Sequence, residues 1–152
     1  MSTTNITINP TAKQKTTFKI LLDDKTNIVI YGGSAGGGKS WLGCVWITTL
    51  CLKYPGIRCL IGRSVLQQLK LTTLNTLYEV LAMMQLKAGE HYNFNGQSNV
   101  MTFNNGSEIV FKDLAFLPSD PNYDSLGSLE ITAAFIDEAT QISSLCFSII
   151  KS

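Results

Sequence analysis

Gly33-Ser34-Ala35-Gly36-Gly37-Gly38-Lys39-Ser40 constrains this chain more than any other stretch. Glycine readily takes backbone conformations closed to other residues, so this run cannot extend a helix or a strand and predicts a loop. Just upstream, Ile28-Val29-Ile30-Tyr31 is a short β-branched run between turn residues, which predicts a buried strand of a parallel sheet. Just downstream, Leu42, Val45, Trp46, Leu50 and Cys51 recur at helical spacing from Lys39 to Lys53, and Pro55-Gly56 closes the segment. Strand, glycine loop and helix in that order are the context in which G-x-x-x-x-G-K-[ST] holds phosphate. The backbone N–H groups of Gly33, Ser34, Ala35, Gly36, Gly37 and Gly38 are expected to turn toward phosphate oxygens, with the positive end of the helix facing the same anion. Lys39 is expected to reach the β- and γ-phosphates, and Ser40 to place its hydroxyl on Mg²⁺, a hard cation that prefers oxygen.

The flanking sequence extends an α/β pattern. Residues 1–12 read as a flexible leader and residues 13–152 as one unit, with a short helix over Ala12–Leu22 that carries Gln14 and Phe18. Arg58-Cys59-Leu60-Ile61 predicts a second strand. Leu66, Leu69, Leu74, Leu77, Leu81 and Met84 then mark one face of a long helix ending near Gly89. From Tyr92 to Phe111 the pattern changes to alternation around Asn104-Asn105-Gly106, which predicts a hairpin. Pro118–Gly127 reads as a loop, and Ile131–Ile136 as a last apolar strand. A chain of 152 residues with 45% hydrophobic and 15% charged residues has enough apolar material for one core. Its formal net charge of +1 neither supports nor excludes a nucleic-acid partner.

Cys44, Cys51, Cys59 and Cys146 lack metal-ligand spacing and lie in apolar segments, which predicts buried thiols in a reducing compartment and no zinc or disulfide role. No apolar run approaches the ~20 residues that span a bilayer, and residues 1–10 lack the charged start and apolar middle of a secretion signal. The expectation is a cytosolic chain with no membrane partner.

The second chemical element is Ile131-Thr132-Ala133-Ala134-Phe135-Ile136-Asp137-Glu138, which delivers two carboxylates at the C-terminal end of a strand, where α/β sheets bind ligands. With the phosphate loop upstream, this resembles a Walker B motif. Asp137 is expected to hold Mg²⁺, directly or through water, and Glu138 to orient and deprotonate the water that attacks the γ-phosphate. The adjacent glutamate and the lack of an N-K-x-D guanine motif favour ATP. Gln14, upstream of the first strand, has an amide whose donor and acceptor match adenine N7 and N6. The plainer alternative is a solvated helix glutamine beside a core Phe18.

Taken together, these residues resemble the ATPase domain of the large terminase subunits of tailed phages, from about Pro10 onward. The resemblance rests on Gln14, on Gly32 to Ser40, on Arg63 after the second strand, on the phrase Phe103-Asn104-Asn105-Gly106-Ser107-Glu108-Ile109-Val110-Phe111, on Gly127, and on Ile136-Asp137-Glu138-Ala139. The hairpin phrase is the part that looks specific to terminases. The fold implied is a three-layer α/β P-loop NTPase of the RecA-like, ASCE type, with a mainly parallel sheet plus an antiparallel hairpin. The activity implied is Mg²⁺-dependent ATP hydrolysis driving double-stranded DNA into a prohead. The implied partners are the portal protein, the small terminase subunit and other copies in a ring, in the cytoplasm of the bacterial host.

Two departures stand out. Many terminases carry arginine where this chain has Ala35 and Leu126, which leaves Arg63 and Arg58 as candidates for a charge-stabilising finger. The resemblance also implies that a strand following Walker B inserts between the phosphate-loop strand and the Walker B strand, yet this sequence ends at Ser152. The expectation is therefore a motor domain incomplete at its C-terminus, lacking the coupling strand and the nuclease. A helicase- or recombinase-like ATPase, or a nucleotide-binding segment without turnover, are the competing readings.

Overall fold

The computed structural model describes residues 10–32 and 38–152. Helix α1, Ala12–Leu21, opens on a capping box: the Thr11 side chain accepts from the Gln14 N–H, and the Gln14 side chain accepts from the Thr11 N–H. Two of the donors that a helix start leaves unpaired are thereby satisfied. Helix α2 spans Lys39–Lys53, as the apolar spacing predicts, and leads through Pro55-Gly56 into strand β1, Arg58–Arg63.

The long helix predicted from Leu66 to near Gly89 is two helices and ends earlier, at Met83. Helix α3, Leu66–Leu71, stops at Thr72, whose φ of −120° and ψ of −69° lie outside the helical region, and α4 runs over Thr73–Met83. The hairpin predicted around Asn104-Asn105-Gly106 is formed by β3 (Val100–Phe103) and β4 (Glu108–Asp113), and a further strand, β2 (Tyr92–Asn95), pairs antiparallel with β3. A short helix α5, Asp124–Gly127, sits inside the predicted loop. Strand β5, Ala133–Ile136, a 3₁₀ turn over Ala139–Gln141 and helix α6, Ser144–Lys151, follow.

The strands form one sheet in the order β2-β3-β4-β1-β5. Strands β4, β1 and β5 are parallel, and β2 and β3 extend the sheet antiparallel. Alternate residues of β1 serve opposite faces. Cys59 and Ile61 join α2 and α4 in one apolar cluster, while Leu60 joins Leu114, Tyr123, Leu126 and Cys146 beneath α5 and α6 in a second. Helices thus cover the parallel strands on both faces, giving three layers.

One predicted element is missing. Residues 28–31 form no strand, and Ile30 is 90% exposed. A β-branched run becomes a strand only beside a partner that takes up its N–H and C=O groups. Among the described residues, β5 pairs with β1 alone, and residues 28–31 pair with no strand.

Candidate functional site

The site forms where α2 begins and β5 ends. Gly38 precedes α2 with φ +69°, a left-handed conformation favoured by glycine, and a Cβ there would lie 2.2 Å from the Gln14 amide nitrogen. Further along α2, a Cβ on Gly43 would lie 2.4 Å from the Phe135 ring of β5. The missing side chain at Gly43 therefore lets α2 lie against the strand that carries the carboxylates. Ser40, in the first turn of α2, donates through its hydroxyl to Asp137 Oδ2 at 2.8 Å, joining two segments 97 residues apart.

Asp137 is 5% exposed and is the hub of the site. Its Oδ2 also accepts from Thr73 Oγ1 at 2.7 Å and lies 3.8 Å from Arg63 Nη1, while Oδ1 accepts from the Glu138 N–H at 3.1 Å. A buried carboxylate is tolerated when donors and an opposite charge surround it, and here hydroxyls, a backbone amide and a guanidinium do so. Burial, with the Asp137 charge as a smaller contribution, pushes the nearby Cys44 thiol up to about 12. Cys44, Cys51, Cys59 and Cys146 are all free and buried, as their apolar settings predict.

Glu138 holds a left-handed conformation, φ +54° and ψ +51°, and its side chain is exposed. Non-glycine residues seldom adopt that region, and such strain concentrates at functional sites. Arg63 donates to Thr72 Oγ1 at 2.8 Å, and its Nε is buried with no hydrogen-bond partner among the described residues. Arg58 is at the far end of β1, paired with Glu108 at 3.2 Å, and this strand carries it away from Asp137. Leu126 is buried in the second cluster, an apolar role that an arginine could not fill.

Gln14 is 7% exposed, and its Nε2 donates to Gly38 O at 3.3 Å. The adjacent Lys13 donates to Gly32 O and lies 4.6 Å above the Tyr31 ring. Helix α1 thus grips the backbone on both sides of residues 33–37. Gly33, Ser34, Ala35, Gly36 and Gly37 lie outside the described residues. Lys39 is the first residue of α2 and is partly buried. Phe18 packs against the first core cluster.

The donor set suits a hard divalent cation. Ser40 and Asp137 present oxygen only, and Oδ1 of Asp137 keeps acceptor capacity beyond the Glu138 N–H. Among the described residues no group of three or more His, Cys, Asp or Glu could cage a metal. A surface cavity of about 720 Å³ opens at the opposite end of the sheet, beside Arg58, Glu108 and Glu130. Chemistry is better placed at the carboxyl ends of the parallel strands, where Asp137 and Arg63 converge.

Two crystal forms of the large terminase from a thermophilic bacteriophage superpose on this arrangement. One matches 94% of this chain with a TM-score of 0.74 at 12% identity, and the other 93% with a TM-score of 0.67 at 13% identity. The fold is that of large terminase structures. The chain spans about a third of their length, 36% and 34%. No family model and no curated protein matches the sequence. Within the terminase fold, the specific-looking phrase Asn104-Asn105-Gly106-Ser107 proves to be structural support. Asn105 Nδ2 donates to Cys51 O at 2.7 Å, and Ser107 Oγ lies 2.8 Å from the same carbonyl, one of those left unpaired in the last turn of α2.

The residues missed from sequence alone are Lys13, Thr72 and Thr73. For the threonines a signal existed. The apolar face steps by five from Leu69 to Leu74, a slip in helical phase at the break.

Proposed function

We propose that this chain is the ATP-binding and hydrolysing segment of a phage DNA-packaging motor. The observation that carries the reading is the Ser40–Asp137 hydrogen bond, which joins the end of a phosphate-loop sequence to the end of a Walker B-like strand, within a fold shared with large terminases. Fold alone does not establish function, so the site carries the weight.

In this reading Lys39 holds the β- and γ-phosphates, and Ser40 and Asp137 hold Mg²⁺. Bound there, Mg²⁺ supplies positive charge that offsets the charge on the phosphate oxygens. The Glu138 carboxylate takes a proton from water as the water oxygen bonds to the γ-phosphorus. The bond from that phosphorus to the oxygen bridging to the β-phosphate breaks, and ADP leaves with that oxygen. Arg63, 3.8 Å from Asp137, is the nearest described guanidinium for charge on the transferring group. Gln14 changes partner from Gly38 O to adenine when nucleotide enters. Double-stranded DNA is the translocated substrate, and the portal protein, the small terminase subunit and further copies in a ring are the partners.

The test is phosphate release and nucleotide binding measured on the same preparations, with and without double-stranded DNA. Glu138→Gln is expected to keep Mg²⁺·ATP binding and to lose turnover by ~100-fold or more, the scale of a lost general base. Equal losses of binding and turnover would make Glu138 a structural residue and remove it from the mechanism.

A further inference from the structure

Resting on the nucleotide-site reading above, we propose that Thr73 is a positioning residue that holds the Asp137 carboxylate in orientation for the divalent cation. Thr73 is fully buried, and its hydroxyl donates to Asp137 Oδ2 at 2.7 Å. A helical threonine ordinarily returns its hydroxyl to the carbonyl four residues back. Thr16, Thr17, Thr49 and Thr76 all do so here, as does the adjacent Thr72. Thr73 directs its hydrogen instead to a carboxylate 64 residues away.

The helix break serves that geometry. Because Thr72 leaves the helical region, α4 begins anew at Thr73 instead of continuing α3. The two neighbouring hydroxyls then serve two different strands: Thr72 Oγ1 accepts from Arg63 at the end of β1, and Thr73 Oγ1 donates to Asp137 just beyond β5. Thr72 remains anchored by donating to Gln68 O at 2.7 Å. With Ser40 and Thr73 both donating to Oδ2 and the Glu138 N–H donating to Oδ1, rotation of the carboxylate is opposed from both of its oxygens. Ser40 uses its hydrogen on Asp137 and keeps oxygen lone pairs for a cation. Removing the Thr73 hydroxyl withdraws one of these restraints.

The experiment reads Mn²⁺ as the probe, by electron paramagnetic resonance titration of the chain in the presence of ATP, alongside ATP binding in EDTA. Thr73→Val is expected to weaken Mn²⁺ binding about 10- to 100-fold, the usual consequence of losing a group that orients a metal ligand. Metal-free ATP binding is expected to be unchanged, and Thr73→Ser is expected to behave as wild type. In an Asp137→Asn background, Thr73→Val is expected to add no further loss. If the valine chain does not fold, Thr73→Ala is measured in its place. A valine or alanine variant with wild-type Mn²⁺ affinity, a serine variant as weak as valine, or an additional loss in the Asp137→Asn background would overturn the inference while leaving the nucleotide site intact. A wild-type chain that takes up no Mn²⁺·ATP would overturn the nucleotide-site reading, and this inference with it.

Discussion

Gly38 carries two constraints at once. Its φ of +69° is unfavourable for a residue with a Cβ, and such a Cβ would meet the Gln14 amide at 2.2 Å. Gln14 has little freedom to retreat, because its carbonyl is engaged by the Thr11 N–H. Gly38→Ala is therefore expected to push α1 away from the start of α2. Nucleotide affinity should fall by roughly 5- to 150-fold, since left-handed strain and a displaced partner together amount to ~1–3 kcal/mol. Titration with a fluorescent ATP analogue measures it. A wild-type affinity would mean that neither the glycine conformation nor the Gln14 contact shapes the loop. Lys39, Ser40, Asp137 and Glu138 stand out as candidates in the sequence because the phosphate-loop and Walker B patterns single out those side chains, and the Ser40–Asp137 hydrogen bond brings the two segments together. The roles of Thr73 and Lys13 were not legible, because each depends on contacts between distant segments that no local pattern announces.

Elements were legible in proportion to how much of their stability is local. Helix α2 has the bounds that its apolar spacing and Pro55-Gly56 predict. The helix predicted from Leu66 to near Gly89 breaks where Thr72 and Thr73 bond to partners outside it, and the step from Leu69 to Leu74 keeps both halves buried across the break. The turn residues around Asn105 predict reversal, but their attachment to the end of α2 emerges only in three dimensions. Asn105→Ala removes a donor from Cys51 O and also the acceptor for the Ser107 N–H. It is expected to destabilise the chain by about 1–3 kcal/mol, lowering the melting temperature by about 2–4 °C per kcal/mol. Mg²⁺·ATP affinity of the remaining folded protein should be unchanged, because the contact is at the opposite end of α2 from Ser40. An unchanged melt with weakened nucleotide binding would reverse that assignment.

At the scale of the whole molecule, the α/β class and its layers follow from alternation in β1, β4 and β5 against helical spacing in α2 and α4. The exception is residues 28–31, where the predicted buried strand does not form and Ile30 is exposed. A sheet is a property of pairs, and no single stretch of sequence specifies its partner. The site nevertheless closes without that strand, because Ser40, Thr73 and Arg63 meet Asp137 from α2, α4 and β1. The central claim is that this convergence is a Mg²⁺·ATP site. Isothermal calorimetry of the chain with ATP and Mg²⁺, against Lys39→Ala, tests it most directly. The account predicts saturable one-to-one binding that requires Mg²⁺ for full affinity and that Lys39→Ala abolishes or weakens by at least ~100-fold, as expected when charge-assisted contacts to phosphate are lost. Binding that is absent in wild type, or equal in Lys39→Ala, would contradict it.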